Sequence, residues 1–136
     1  MRYVVLDTNC LIQALPSRSH YHRIWTDFLA GRYHLCVSNE ILSEYEEILG
    51  KLTSPEVARN VVETIARHPG TLYRESYYRF HLLCDTDKDD DKFVDCAITA
   101  GADYIVTEDS HFNILKQIPF PRLNVLTLDE FNATLQ

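Results

Sequence analysis

The stretch from residue 85 to residue 109 constrains the fold most, because it predicts a helix, a short turn and then a buried strand. Apolar residues at positions 93, 94, 97 and 98 share one helical face, and Gly101 suits the left-handed position that ends a helix. Residues 104–106, Tyr-Ile-Val, are typical of a short strand that ends at Thr107. Asp91 enters the helix and Asp109 follows the strand, so both carboxylates lie at element ends. In an open α/β sheet, such ends line the crevice where ligands bind.

The rest of the chain also alternates between strands and helices. Residues 3–6 predict a first buried strand that is followed by Asp7, and a helix then begins near Thr8 or Asn9, either of which could cap it. A second strand at residues 35–37 is followed by Ser38, a predicted helix cap. This alternation favours a central, mostly parallel sheet in a three-layer α/β/α fold, and we expect residues 1–136 to form a single domain.

One carboxylate lies where an apolar side chain is expected. Glu44 falls inside the apolar stripe of the helix after Ser38, a stripe made by Ile41, Leu42, Tyr45, Ile48, Leu49 and Leu52. A buried carboxylate is costly unless something compensates its charge. A divalent cation would do so; alternatively, Glu44 reaches solvent at the edge of the stripe or pairs with an arginine.

The predicted elements bring several acids toward one edge of the sheet. Asp7 and Asp109 follow strands, Glu44 and Asp91 lie on neighbouring helices, and Asp95 lies one turn beyond Asp91. Carboxylates that converge without a counter-charge repel one another, and hard oxygen ligands suit Mg²⁺ or Mn²⁺. Two such ions about 4 Å apart can activate a water and stabilise the leaving oxygen of a phosphodiester. We therefore expect a site for one or two Mg²⁺ or Mn²⁺ ions.

Composition limits the remaining function classes. The net charge of −7 argues against a broad phosphate-binding surface, although it leaves room for a nuclease that recruits its substrate through metals. No apolar run is long enough to span a bilayer, and no leader segment is recognisable, so we expect a cytoplasmic protein. The cysteines form no C-x-x-C pair and are interpreted as buried thiols in a reducing compartment: Cys10, Cys36, Cys84 and Cys96.

Residues 73–80 interleave tyrosine and phenylalanine with arginine. Such a run could stack on RNA bases, but a partly buried strand with its rings in the core is the more common explanation. Both interpretations remain open from the sequence.

Four short motifs, taken in order, resemble the PIN-domain family over nearly the whole chain. Val-Val-Leu-Asp7-Thr8-Asn9 is similar to the first acidic motif of that family, and Ser38 followed by Glu44 is similar to the second. Asp91, then Ala97, then Thr107-Glu108-Asp109 are similar to the third and fourth. The segment that begins at Asp91 is most similar to the branch of toxins from toxin–antitoxin pairs.

The resemblance implies a metal-dependent ribonuclease that cleaves single-stranded RNA. It assigns four carboxylates to the metal and to catalysis: Asp7, Glu44, Asp91 and Asp109. Four further residues would orient the metal ligands or the substrate, or would contact the metal ligands without binding the metal: Asn9, Ser38, Asp95 and Thr107. A separate antitoxin protein would be the partner, and no membrane is expected. From the residues alone, the helices before and after Ser54 could either pack on the sheet or offer a surface for a homodimer.

Two other functions remain possible from the sequence. A haloacid-dehalogenase-type phosphatase also begins with an aspartate at a strand end, but it requires a second aspartate two residues later, where this chain has Asn9. The other possibility is a non-catalytic module that binds a metal or a protein partner.

Overall fold

The computed structural model describes residues 2–75, 91–117 and 123–135. Its strands are β1 (Tyr3–Leu6), β2 (His34–Val37), β3 (Leu72–Tyr73), β4 (Tyr104–Val106) and β5 (Val125–Leu126). Its α-helices are α1 (Thr8–Ala14), α2 (His22–Leu29), α3 (Asn39–Leu52), α4 (Pro55–Arg67), α5 (Asp91–Ala100) and α6 (Leu128–Thr134). A 3-10 helix covers Ser110–Gln117.

The strands form one parallel sheet in the order β3-β2-β1-β4-β5. The predicted α/β class with a central parallel sheet is therefore confirmed. The chain leaves β1 in one direction toward β2 and β3, and it later returns to the opposite side of β1 as β4. The carboxyl ends of β1 and β4 thus lie at the point where the strand order reverses, which is where open α/β sheets form their ligand crevice.

Side-chain caps fix the starts of most helices. Ser38 Oγ accepts a hydrogen bond from the backbone N–H of Ile41, and Ser54 does the same for α4. Thr127 and Glu130 form a complete capping box on α6. The prediction for α1 was wrong: Asp7, and not Thr8 or Asn9, caps this helix, because its Oδ1 accepts from the N–H of Thr8 at 2.8 Å.

The core lies between the sheet and its helices. Its largest buried side chains include Phe28, Tyr33, Tyr45, Phe93, Phe112 and Phe131. Cys10, Cys36 and Cys96 are buried free thiols, as expected, whereas Cys84 lies outside the described residues. Gly101 adopts a φ of 65° directly after α5, the conformation that the sequence predicted for the end of this helix.

The aromatic run that begins at Tyr73 is described only at its start. Tyr73 belongs to β3, but its side chain is exposed and its hydroxyl donates to Glu75 at 2.6 Å. The ring of Tyr73 is therefore not in the core, and residues 76–80 lie outside the described residues. Among the helices that the structure describes, none has both the length and the apolar character needed to cross a membrane.

Candidate active site

Two polar side chains meet where the central strands end. The backbone N–H of Asp7 donates to the carbonyl of Val106 at 3.0 Å, which continues the pairing of β1 with β4 by one residue. Asp7 and Thr107 consequently lie side by side, and the Thr107 hydroxyl donates to Asp7 Oδ2 at 2.7 Å. Both side chains are buried, at 8% and 3% exposed. The sheet register therefore determines where the first carboxylate of the site lies.

The same threonine hydroxyl also connects Asp7 to Asp109. Thr107 Oγ1 accepts from the backbone N–H of Asp109 at 3.0 Å while it donates to Asp7. Asp109 Oδ1 in turn accepts from the N–H of His111 at 2.9 Å, and the His111 ring nitrogen Nδ1 lies 3.4 Å from the same oxygen. Asp109 is thus held next to Asp7 by a hydroxyl between them and by the first turn of the 3-10 helix.

Glu44 reaches the site from α3. The next residue, Tyr45, is fully buried and its hydroxyl donates to the carbonyl of Leu6 at 2.6 Å, which fastens α3 to the end of β1. Glu44 Oε2 accepts from the hydroxyl of Thr8, and Lys92 Nζ lies 2.7 Å from Glu44 Oε1. Glu44 therefore has a positive charge beside it. Among the described residues this charge includes Lys92 of α5. The sequence had suggested a divalent cation or an arginine.

The charges around Asp7 oppose its ionisation. Burial raises the pKa of Asp7 above its ordinary value of 3.8, and the hydrogen bonds from Thr107 and Thr8 work in the opposite direction. The nearby carboxylates of Glu44 and Asp109 raise the pKa of Asp7 further. Since these two groups act on Asp7 through space, all three carboxylates lie within interaction range. A positive charge among them would be stabilised.

Asp91 and Asp95 lie on α5, which approaches the site with its first turn. Both side chains are buried, at 8% and 2% exposed. Asp91 is the first residue of α5, and its neighbour Lys92 contacts Glu44. Hydrogen bonds and charges thus join Asp7, Thr107, Asp109 and Glu44 directly, whereas Asp91 is tied to this group through Lys92 and Asp95 lies one turn further along the helix.

The remaining predicted residues have different surroundings. Ser38 is buried, and its hydroxyl caps α3, so its observed contact is a structural one. Asn9 is exposed in the first turn of α1. Lys92 and Thr8 were missed as site residues, although both directly follow a predicted metal ligand in the sequence. That adjacency at the start of a helix is the signal that could have identified them.

The donor atoms fit a hard divalent cation in type and in charge. They are carboxylate and hydroxyl oxygens, and the pKa of Asp7 is raised by its burial and, to a smaller extent, by the carboxylates of Glu44 and Asp109. Among residues 2–75, 91–117 and 123–135, no group of three or more His, Cys, Asp or Glu side chains is already arranged to hold an ion. Lys92 neutralises part of the charge of Glu44 in this arrangement.

Open space adjoins the carboxylates on two sides. A cleft of about 590 Å³ runs along α3 and is bordered by Asn39, Ser43, Glu44, Glu47 and Lys92, among others. A smaller one of about 110 Å³ lies beside Thr107 and Asp109 and is also lined by Asn113 and Lys116. Solvent can therefore reach the site.

Comparisons with other proteins identify relatives of the chain. A family model described as "PIN domain" matches residues 3–111. The comparison with curated proteins found no match.

Solved structures of similar fold include three VapBC complexes. The VapBC2 structure from Rickettsia felis, bound to a DNA fragment from its promoter, is 17% identical with a TM-score of 0.63, covering 92% of this chain and 98% of that chain. DNA-bound VapBC from Salmonella typhimurium is 18% identical with a TM-score of 0.63, at 94% and 99% coverage. VapBC-1 from nontypeable Haemophilus influenzae is 16% identical with a TM-score of 0.64, at 93% and 98% coverage.

Proposed function

The chain belongs to the PIN-domain family, and from that premise we propose that it is a metal-dependent endoribonuclease that hydrolyses single-stranded RNA. Proteins with this domain are generally nucleases and usually use divalent metals. The observation that carries the proposal is the Thr107 hydroxyl between Asp7 and Asp109, at the adjoining ends of β1 and β4. It holds Asp109 beside Asp7, whose pKa is raised by burial and further by the carboxylates of Glu44 and Asp109, and a cation at this position would be attracted by that negative charge.

In this proposal four carboxylates hold one or two Mg²⁺ or Mn²⁺ ions: Asp7, Glu44, Asp91 and Asp109. When bound, the metal supplies an activated water and charge stabilisation for the leaving oxygen of the phosphodiester. The Thr8 hydroxyl donates to Glu44, and Asp109 is held by Thr107 and the backbone of His111. These hydrogen bonds orient the two carboxylates before substrate arrives.

The other predicted residues have supporting roles in the proposal. Thr107 holds Asp7 and Asp109 at their spacing, and Asp95 supports the start of α5 from one turn away. Ser38 keeps α3, and with it Glu44, in position by capping the helix. Asn9 is exposed beside Thr8, where it can contact a substrate strand.

We also propose that the protein is the toxin component of a cytoplasmic toxin–antitoxin pair. The fold similarity to three VapBC structures supports this proposal, since the name VapBC denotes a complex of two components. The antitoxin would be a separate protein. A homodimer is supported by apolar side chains exposed near the α3–α4 turn: Leu52 is 63% exposed and Val57 is 43% exposed.

A cleavage assay on a mixed pool of single-stranded RNA tests the enzymatic proposal. The wild-type protein should cleave in millimolar Mn²⁺ or Mg²⁺ and be inactive in EDTA. Asp7→Asn should lose cleavage at least a hundredfold while its far-UV circular dichroism spectrum stays unchanged. Glu63→Gln, which changes an exposed acid on α4, is the matched control and should retain full activity.

Two results would contradict the proposal. Cleavage that persists in EDTA, or in the Asp7→Asn protein, would mean that these carboxylates do not catalyse the reaction. Binding of Mn²⁺ by the wild-type protein without any cleavage would instead favour the non-catalytic metal-binding module.

A further inference from the structure

Lys92 forms an ion pair with Glu44 beside the carboxylates. Its Nζ lies 2.7 Å from Glu44 Oε1, and the two side chains are only 14% and 23% exposed. The same ammonium lies 5.4 Å from the centre of the Phe93 ring. Because the pair is largely shielded from water, its attraction is screened less than that of a surface pair.

A second lysine–glutamate pair on α3 provides an internal comparison. Lys51 Nζ lies 3.1 Å from Glu47 Oε1, and these side chains are 69% and 62% exposed. Exposed pairs of this kind contribute little, because solvent screens them and both side chains lose freedom. The two pairs thus share their chemistry and differ in burial and in distance from the site.

The Lys92 pair changes the charge that a cation would encounter. Glu44 and Asp109 each interact with Asp7, and the three carboxylates carry three negative charges when ionised, a sum that Lys92 reduces to two. The hydroxyl of Thr8 already donates to Glu44 Oε2, so both carboxylate oxygens of Glu44 have a donor. A divalent cation that binds Glu44 must therefore share it with the ammonium or displace the ammonium.

We propose that Lys92 is a positioning residue that competes with divalent cations for Glu44 and thereby sets the cation concentration at which the carboxylate site fills. The inference rests on the proposed function, since it requires that Glu44 be a metal ligand. Lys92 affects the metal affinity through Glu44 and does so without contacting the RNA. As a consequence, Glu44 Oε1 pairs with Lys92 at low cation concentration and binds the metal at high cation concentration.

Calorimetric titration of the full-length protein with MnCl₂ tests the competition. Lys92→Met keeps most of the side-chain length but removes the charge, and we expect it to bind Mn²⁺ about tenfold more tightly than wild type. Lys92→Arg retains the charge and should stay within about threefold of wild type. Lys51→Met, the matched control, removes the exposed lysine of the comparison pair and should leave the Kd unchanged.

Thermal unfolding supplies a readout that is independent of activity. Without added metal, Lys92→Met should unfold at a lower temperature than wild type, because Glu44 loses its counter-charge. Saturating Mn²⁺ should raise its Tm by more than it raises that of wild type, since tighter binding to the folded state stabilises it more. A purely structural role of Lys92 would instead weaken Mn²⁺ binding along with stability.

The outcomes separate this inference from the function on which it depends. An equal or weaker Mn²⁺ affinity in Lys92→Met overturns the competition but leaves the metal site intact. Absence of Mn²⁺ binding in all four proteins overturns the proposed function and this inference together. If Lys92→Met does not fold, Lys92→Gln replaces it as the uncharged variant, with the same expected result.

Discussion

Replacing Thr107 with valine tests whether one hydroxyl holds two carboxylates of the site together. Valine has nearly the same shape as threonine but can neither donate to Asp7 Oδ2 nor accept from the N–H of Asp109. The substitution leaves a buried carboxylate oxygen without this donor and a backbone N–H without this acceptor. Activity should fall with stability, because both carboxylates lose a fixed position.

The cost can be derived from the two hydrogen bonds. A hydrogen bond to a charged group contributes about 1.5–3 kcal/mol, and a neutral one contributes about 1 kcal/mol. We therefore expect Thr107→Val to lower the free energy of unfolding by about 2–4 kcal/mol. For a chain of 136 residues, each kcal/mol corresponds to roughly 3–4 °C, so the Tm should fall by about 7–15 °C.

The loss of stability should depend on pH with a defined sign. Burial raises the pKa of folded Asp7 above 3.8, so the folded state holds this proton more tightly than the unfolded state. The contribution of Asp7 is therefore fully present below about pH 4 and is lost as pH rises through the raised pKa. Because the Thr107 hydrogen bond lowers this pKa, its removal raises the pKa further, and the destabilisation by Thr107→Val should be larger at pH 8 than at pH 4.

Urea unfolding in EDTA at pH 4 and pH 8 provides the measurement. Thr107→Ser keeps the hydroxyl and should recover most of the lost stability. Thr64→Val removes an exposed hydroxyl that donates to a carbonyl within α4 and should cost less than 1 kcal/mol. An equal loss at both pH values, or equal losses in the serine and valine variants, would refute this account of Thr107.

Three further predictions concern the structure that supports the site. Tyr45→Phe removes the hydroxyl that donates to the carbonyl of Leu6 and should lower the free energy of unfolding in urea by about 1–2 kcal/mol. RNA cleavage should also fall, because α3 carries Glu44. Unchanged stability would contradict the anchoring role of Tyr45. Gly101→Ala should cost about 1 kcal/mol from backbone strain alone, since no atom lies within 4 Å of the added Cβ, and a stabilised alanine variant would exclude this strain. Burial raises the pKa of Cys36 and Cys96 to about 12 and also raises that of Cys10. A Cys84→Ser protein should therefore show no thiol that reacts with Ellman's reagent at pH 8 until the protein is unfolded. Rapid labelling of the native protein would contradict the burial of these three thiols.

The sequence predicted the architecture because its apolar pattern directly reflects the sheet. Short β-rich runs flanked by helical patterns indicated parallel strands, and the carboxyl ends of such strands share one edge. The positions of Asp7 and Thr107 followed from that geometry, and the observed hydrogen bond joins them as neighbours. Glu44 was predicted to be a site residue because an acid in an apolar stripe requires a compensating charge.

Details that depend on three-dimensional pairing did not follow from the sequence. Asp7 both caps α1 and lies in the candidate site. The sequence did not indicate this double use, and Thr8 or Asn9 was therefore predicted as the cap. Lys92 lay next to Asp91 at the start of a predicted helix, and its contact with Glu44 depends on how α5 packs near α3. Such choices are determined by the tertiary packing of side chains, for which periodicity carries no signal.

The central place of β1 has a consequence for synthesis of the protein. This strand pairs with β4, about 100 residues later, in the register that joins Leu6 with Val106. At a translation rate of roughly 5–20 residues per second, Asp109 is added to the chain about 5–20 s after Asp7. During this interval the middle strand of the nascent chain lacks one neighbour, and the carboxylates can meet only after Asp109 has been made.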